Sequence, residues 1–165
     1  MNQVDENLWS CLHLASYLGH SEIVELLLKD YRVDVNLGTD DGSTALYLAC
    51  QEGNTEVVKL LSMNERVDVN KAMIYQIQPI SVACMFDHVT AVKWLIASGR
   101  IMLNKGFERG VKNHTTKYIE EFSQNPELGI RKMRVELGVL GFFSFSFFFF
   151  FLFSFFFFFL FLFRL

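Results

Sequence analysis

Thr44-Ala45-Leu46-Tyr47-Leu48-Ala49-Cys50-Gln51-Glu52-Gly53-Asn54-Thr55-Glu56-Val57-Val58-Lys59-Leu60-Leu61 decides the fold of this chain. Thr44 is a helix-capping residue, because its hydroxyl can accept from an amide of the first turn. Ala45 to Glu52 then carries apolar residues at helical spacing. Gly53-Asn54 stops that helix, as glycine does at a C-terminal cap. Thr55 opens a second helix whose first turn holds Glu56, where the helix dipole favours negative charge. Leu46, Ala49, Val57, Val58, Leu60 and Leu61 give each helix an apolar stripe. Upstream, Thr39-Asp40-Asp41-Gly42-Ser43 reads as a turn, since its acids favour bends and its glycine tolerates positive φ. The unit is turn, helix, tight loop, helix, long loop.

The same unit recurs on both sides at a spacing of 34 residues. Leu14-Ala15 and Val82-Ala83 flank Leu48-Ala49, Val24 and Val92 flank Val58, and Asp34-Val35-Asn36 precedes Asp68-Val69-Asn70. A fixed period in this range marks a stacked repeat protein, in which no unit buries its apolar face alone. Such a stack is a binding surface before it is anything else.

These residues resemble the ankyrin-repeat family. Thr44-Ala45-Leu46-Tyr47-Leu48-Ala49 stands where the family has T-P-L-H-x-A. Unit one matches best at its middle, with Leu12-His13-Leu14-Ala15, Gly19-His20 and Glu22 to Leu28. Unit three keeps Pro79-Ile80-Ser81-Val82-Ala83. It has Asp87 in place of the loop glycine, Gln76 in place of the turn glycine and Gln78 in place of the capping threonine, so it is the weakest of the three. The resemblance implies an all-α solenoid of stacked helix-turn-helix units with projecting β-turn fingers. The domain spans 5–122, with units at about 5–36, 37–70 and 71–104 and a truncated fourth at 105–122. In that fourth unit Gly110 falls 23 residues after Asp87 where 34 is the rule, so about eleven residues are missing. A degenerate cap and a dropped piece of coding sequence both fit. Thr116 to Phe122 can serve as the polar terminal cap a solenoid needs. A basic helix with Arg131, Lys132 and Arg134 occupies 123–138.

Residues 139–165 form an apolar poly-Phe tail. Sixteen of the 19 phenylalanines lie between Phe142 and Phe163, where only Phe, Leu and Ser occur. The stretch exceeds the roughly 20 residues that span a bilayer. Basic residues before it place the repeats on the cytoplasmic side if it is an anchor. Phe, Leu and Ser also share all-pyrimidine codons, so one frame of a thymine-rich tract would encode the same run. Both readings stand. A membrane-tethered protein is the alternative to a cytoplasmic one, and membrane contact is expected only through 139–165.

The chemistry of an enzyme is missing from the pattern. No phosphate loop, GxSxG or HExxH motif occurs, and no cofactor or metal is expected. A net charge of −3 gives no basic field for nucleic acid. Met1 to Asn7 is polar and acidic, so no signal peptide is expected. Cys11, Cys50 and Cys84 lack metal-ligand spacing and read as small buried residues of a reduced compartment. His13, His20 and His88 fall at places the resemblance makes structural, and Asp34 and Asp68 read as loop-bonding acids.

The expected function is therefore non-catalytic protein binding by a monomer. By resemblance, the contact positions are the finger tips and the last residues of each first helix. Unit one offers Trp9 and Tyr17, with Glu6, Asn7 and Leu18. Unit two offers Asp40, Asp41, Gln51 and Glu52, with Ser43. Unit three offers Ile74, Tyr75, Met85 and Phe86, with Ile77. An acidic stripe between two apolar, aromatic ones suits a partner with a basic residue flanked by apolar ones. The competing reading is structural: Trp9 covering the open end of unit one, and Ile74 and Ile77 packing beneath a degraded neighbour.

Overall fold

The computed structural model describes residues 3–103 and 116–138. The tail at 139–165 and most of the truncated-unit segment at 105–122 lie outside them. Eight helices occur among the described residues: α1 (Cys11–Leu18), α2 (Ser21–Lys29), α3 (Ala45–Glu52), α4 (Thr55–Met63), α5 (Pro79–Met85), α6 (Val89–Ser98), α7 (Thr116–Gln124) and α8 (Pro126–Glu136). They pack as antiparallel pairs. Inner helices α1, α3 and α5 stack in one row, and outer helices α2, α4, α6 and α8 in another. No strand forms among these residues. None of these helices is long and apolar enough to cross a membrane.

The inner helices start where a hydroxyl caps them. Ser10 accepts from the His13 amide and Thr44 from the Tyr47 amide. Gln78 makes no such bond. Its side-chain amide donates instead to the Asn70 and Met102 carbonyls. Pro79, at the first helical position with φ already set, assists that start.

Three fingers precede the inner helices. Each closes on a residue in the left-handed region: Leu8 (φ 60°), Gly42 (φ 81°) and Gln76 (φ 62°), one period apart. The turn imposes this geometry whatever residue is present. Glycine meets it without strain, and Leu8 and Gln76 adopt it at a cost of about 1–2 kcal/mol. The second finger is tied to the third, because the Ile74 amide donates to the Asp41 carbonyl at 2.9 Å.

The core is continuous through the units. Leu12, Val24, Leu46, Val58, Leu61, Ile80, Val92 and Leu95 are all buried. Cys50 and Cys84 are buried and free, and burial pushes the Cys50 thiol up, so it stays protonated and inert. Cys11 departs from the sequence expectation: it is exposed. Its in-phase partner Ala45 is buried within the stack, whereas Cys11 has no preceding unit against it among the described residues.

Polar rungs join the units along the outer edge. Arg66 donates to the carbonyls of Leu28, Asp30 and Val33 in unit one. Arg100 donates to those of Ser62, Asn64 and Val67 in unit two. Arg134 repeats the motif from α8, donating to Ala97 at 2.8 Å. Asn36 and Asn70 form a second row: each donates to one backbone carbonyl of the following unit and accepts one amide from it.

Beyond α6, α7 and α8 pack on each other, and α8 lies on α6. Gly129 admits the Phe122 side of α7. Lys93 of α6 pairs with Glu136 at 2.8 Å, and Lys132 pairs with Glu121.

Candidate protein-binding surface

The histidines resolve first, because they are the residues with chemical potential. His13 sits beneath the first finger, buried. Its Nδ1 accepts from the Ser10 amide at 3.0 Å and lies 3.0 Å from the Ser10 hydroxyl. That bond fixes the tautomer: Nε2 carries the proton and donates to the Leu37 carbonyl at 2.9 Å. A second proton would face a backbone donor. Burial, the largest cause, lowers the His13 pKa. The folded protein thus favours neutral His13 relative to the unfolded chain. The stability from this is fully present above about pH 6.5 and is lost as pH falls through the lower folded-state value. Thermal melts from pH 7 to pH 5 are expected to show a falling midpoint, and His13→Gln to flatten that slope.

His88 is a strut as well. Its Nε2 donates to the Gln51 carbonyl at 3.0 Å, reaching back across the unit boundary. Asn54, one period earlier, donates from its side-chain amide to the Ser16 and Tyr17 carbonyls. Both side chains lie over the glycine that ends the preceding inner helix, Gly19 under Asn54 and Gly53 under His88. Among the described residues no cluster of three His, Cys, Asp or Glu could hold a metal.

These struts align the ends of the inner helices. Tyr17, Gln51 and Met85 follow one another in one row, with Leu18, Glu52 and Phe86 beside them. Met85 and Phe86 are exposed, Phe86 by 56%. Phe86 stacks on the His88 ring, 6.1 Å between centroids, so its ring is held at the end of α3. Glu52 is exposed, and Gln51 donates to its carboxylate at 2.9 Å.

The finger tips carry the other expected contacts. Ile74 and Tyr75 stand out on the third finger, Tyr75 at 75% exposure. The Ile74–Asp41 backbone bond sets them beside the acidic pair. Asp40 is exposed. Asp41 has a structural job: its carboxylate accepts from the Thr39 hydroxyl at 2.6 Å and from the Ser43 amide at 2.9 Å. Burial raises its pKa, but these bonds outweigh it and hold the carboxyl below its usual value.

Two residues differ from the expected surface. Ser43 is buried, because its amide and carbonyl close the finger on Thr39. Ile77 is partly buried against the core. Trp9 is intermediate: it packs partly against the core and meets Tyr17 edge-to-face, with centroids 5.5 Å apart. Trp9, Asp41 and Gln51 therefore present part of a side chain, while Tyr17, Asp40, Glu52, Ile74, Tyr75, Met85 and Phe86 are open.

Sequence reading missed the arginine ladder, although Arg32, Arg66 and Arg100 stand 34 residues apart. It also did not single out Leu14, Ile23 and Leu26, which are exposed.

A family model for ankyrin repeats (3 copies) matches residues 1–73. No curated protein matches the chain. The match covers units one and two and the start of the third finger, and the helix pairs beyond it continue the same stack. Residues 1–73 are ankyrin repeats, and the helix pairs beyond them stack in the same two rows.

Proposed function

We propose that this protein is a non-catalytic binding module that captures a protein segment across its finger tips and inner-helix ends. Repeats of this family are generally protein-interaction modules. The observation that carries the reading is the exposed set Ile74, Tyr75, Met85 and Phe86, adjoining Asp40 and Glu52. Apolar and aromatic side chains next to acids have the composition of an interface centre. Phe86 is already oriented by His88, which lowers the ordering cost of contact. The segment that fits carries a basic residue between two apolar ones.

Selection from a displayed peptide library with the full chain tests this. Enrichment of an apolar-basic-apolar pattern is expected. The Trp9→Ala, Phe86→Ala double variant is expected to weaken the selected peptide by more than tenfold, above about 1.4 kcal/mol, while keeping its helical circular dichroism. Unchanged affinity would remove the surface from the reading. Loss of helicity would make Trp9 a core residue instead.

A further inference from the structure

The fingers and inner helices carry charge of one sign. Residues 4–18, 38–52 and 72–86 contain no Lys or Arg, and they hold Asp5, Glu6, Asp40, Asp41 and Glu52. Lys71, just before the third finger, donates to the Asn36 carbonyl at 2.6 Å. Leu18, Glu52 and Phe86 stand one period apart at the ends of α1, α3 and α5, and all three are exposed. A carboxylate thus lies between two apolar side chains. The hydrogen bond it takes from Gln51 is from a neutral amide, which leaves its charge uncompensated by that contact.

The described chain leads toward this row. Ile130 lies by Gly99, Arg134 bonds to the Ala97 carbonyl and Glu136 pairs with Lys93. As residue numbers rise along α8 they fall along α6, so the two helices are antiparallel. α6 in turn begins where α5 ends, because only residues 86–88 separate them. The C-terminal end of α8 therefore points to the same end of the stack as Met85 and Phe86. Phe142 is four residues beyond Gly138, a reach of about 13–14 Å in extended chain. Neighbouring helices lie about 8–10 Å apart.

Residues 139–165 hold one charged side chain, Arg164, with Phe161-Leu162-Phe163 before it and Leu165 after it. This is a basic residue between apolar ones. Three residues of extended chain cover about 10 Å, one helix spacing. Arg164 over Glu52 therefore sets Phe161 over Phe86, and a chain arriving from unit three meets the row in that order. The 26 residues from Gly138 to Arg164 extend to about 90 Å, so reach is ample.

We propose that residues 161–165 occupy the inner-helix ends of their own molecule, with Arg164 on Glu52 and Phe161 on Phe86. The tail is then a built-in competitor of the protein segment that the surface captures. The inference rests on the finger and inner-helix surface being the binding face. Tethering gives the tail an effective concentration of about 1 mM there, so a weak contact fills the surface until a tighter ligand displaces it. The contact also takes apolar tail residues out of water.

Disulfide trapping in the full chain, at submicromolar concentration without detergent, tests the contact. Cys11→Ser removes the exposed native thiol. In that background Glu52→Cys with Arg164→Cys is expected to form a disulfide within one molecule about tenfold faster than Glu120→Cys with Arg164→Cys. Glu120 is also exposed and belongs to α7, which packs on α8, so the tether alone favours the control. Equal rates mean a tail that visits both faces alike and overturn the proposal. Disulfides formed only between molecules mean the tail of a second copy and overturn it too. With a peptide selected on the surface, Arg164→Glu is expected to tighten capture about tenfold by removing the competitor. Equal capture by wild type and Arg164→Glu overturns the tail contact and leaves the surface reading standing. Failure to select any peptide with Arg164→Glu defeats the surface reading, and the trapping rates then decide the tail contact alone.

Discussion

Arg100→Ala is expected to destabilise the protein by about 3 kcal/mol, measured as a shift in the urea unfolding midpoint. The guanidinium donates to Ser62 at 2.6 Å, to Val67 at 2.8 Å and to Asn64 at 3.0 Å. These carbonyls end α4 and shape the loop after it, where intrahelical partners run out. A bond from a charged donor contributes about 1.5–3 kcal/mol, and acceptors left without partners carry a desolvation cost. One side chain also holds two units together here, and a solenoid depends on such neighbour terms. Arg32→Ala is the control. Arg32 has the same phase and pairs with Asp30 in its own unit, so only a small fraction of the shift is expected. Equal shifts for both would mean that Arg100 contributes through its local loop and not through the unit boundary.

Gly53→Ala is expected to cost about 2–3 kcal/mol, by a different route. Gly53 ends α3 at φ 70°, where a β-carbon introduces strain of about 1–2 kcal/mol. That carbon would also stand 2.6 Å from the His88 ring. The ring must move, and its bond to Gln51, worth about 1 kcal/mol, weakens with it. Gly138→Ala separates the two effects. Gly138 has φ 71° but no atom of the described residues within 4 Å of an added β-carbon, so only the strain of about 1–2 kcal/mol is expected there. Chemical denaturation of both variants gives the comparison. Equal losses would show that His88 yields freely and is not a strut. Displacement of His88 should also loosen Phe86, so weaker peptide capture is expected from Gly53→Ala.

Much of this was legible before any coordinates. The α3 boundaries, the Thr44 cap and the Gly53 stop follow from local chemistry, since caps and breakers act within one turn of helix. His13 and His88 bear out the structural role that the resemblance implied for them, whereas His20, read the same way, is exposed and its side chain makes no capping bond to α2. The exceptions are instructive. Gln76 and Asp87 occupy glycine positions, yet both take the left-handed backbone, at φ 62° and 56°. The stacked neighbours impose the turn, and the residue bears the strain. Ser43 looked like a finger tip in sequence but is buried, because the hairpin folds its backbone onto Thr39.

The sequence by itself determined the repeat, its period and its helix pairs, because each depends on residues within one unit. Only the tertiary structure decided which identical-looking positions are core and which are surface. Leu14 and Leu48 are the same residue at the same phase, and one is exposed while the other is buried. The difference is the neighbour. Burial in a stack belongs to the interface between units, and no unit carries in its own sequence the record of whether that interface is filled.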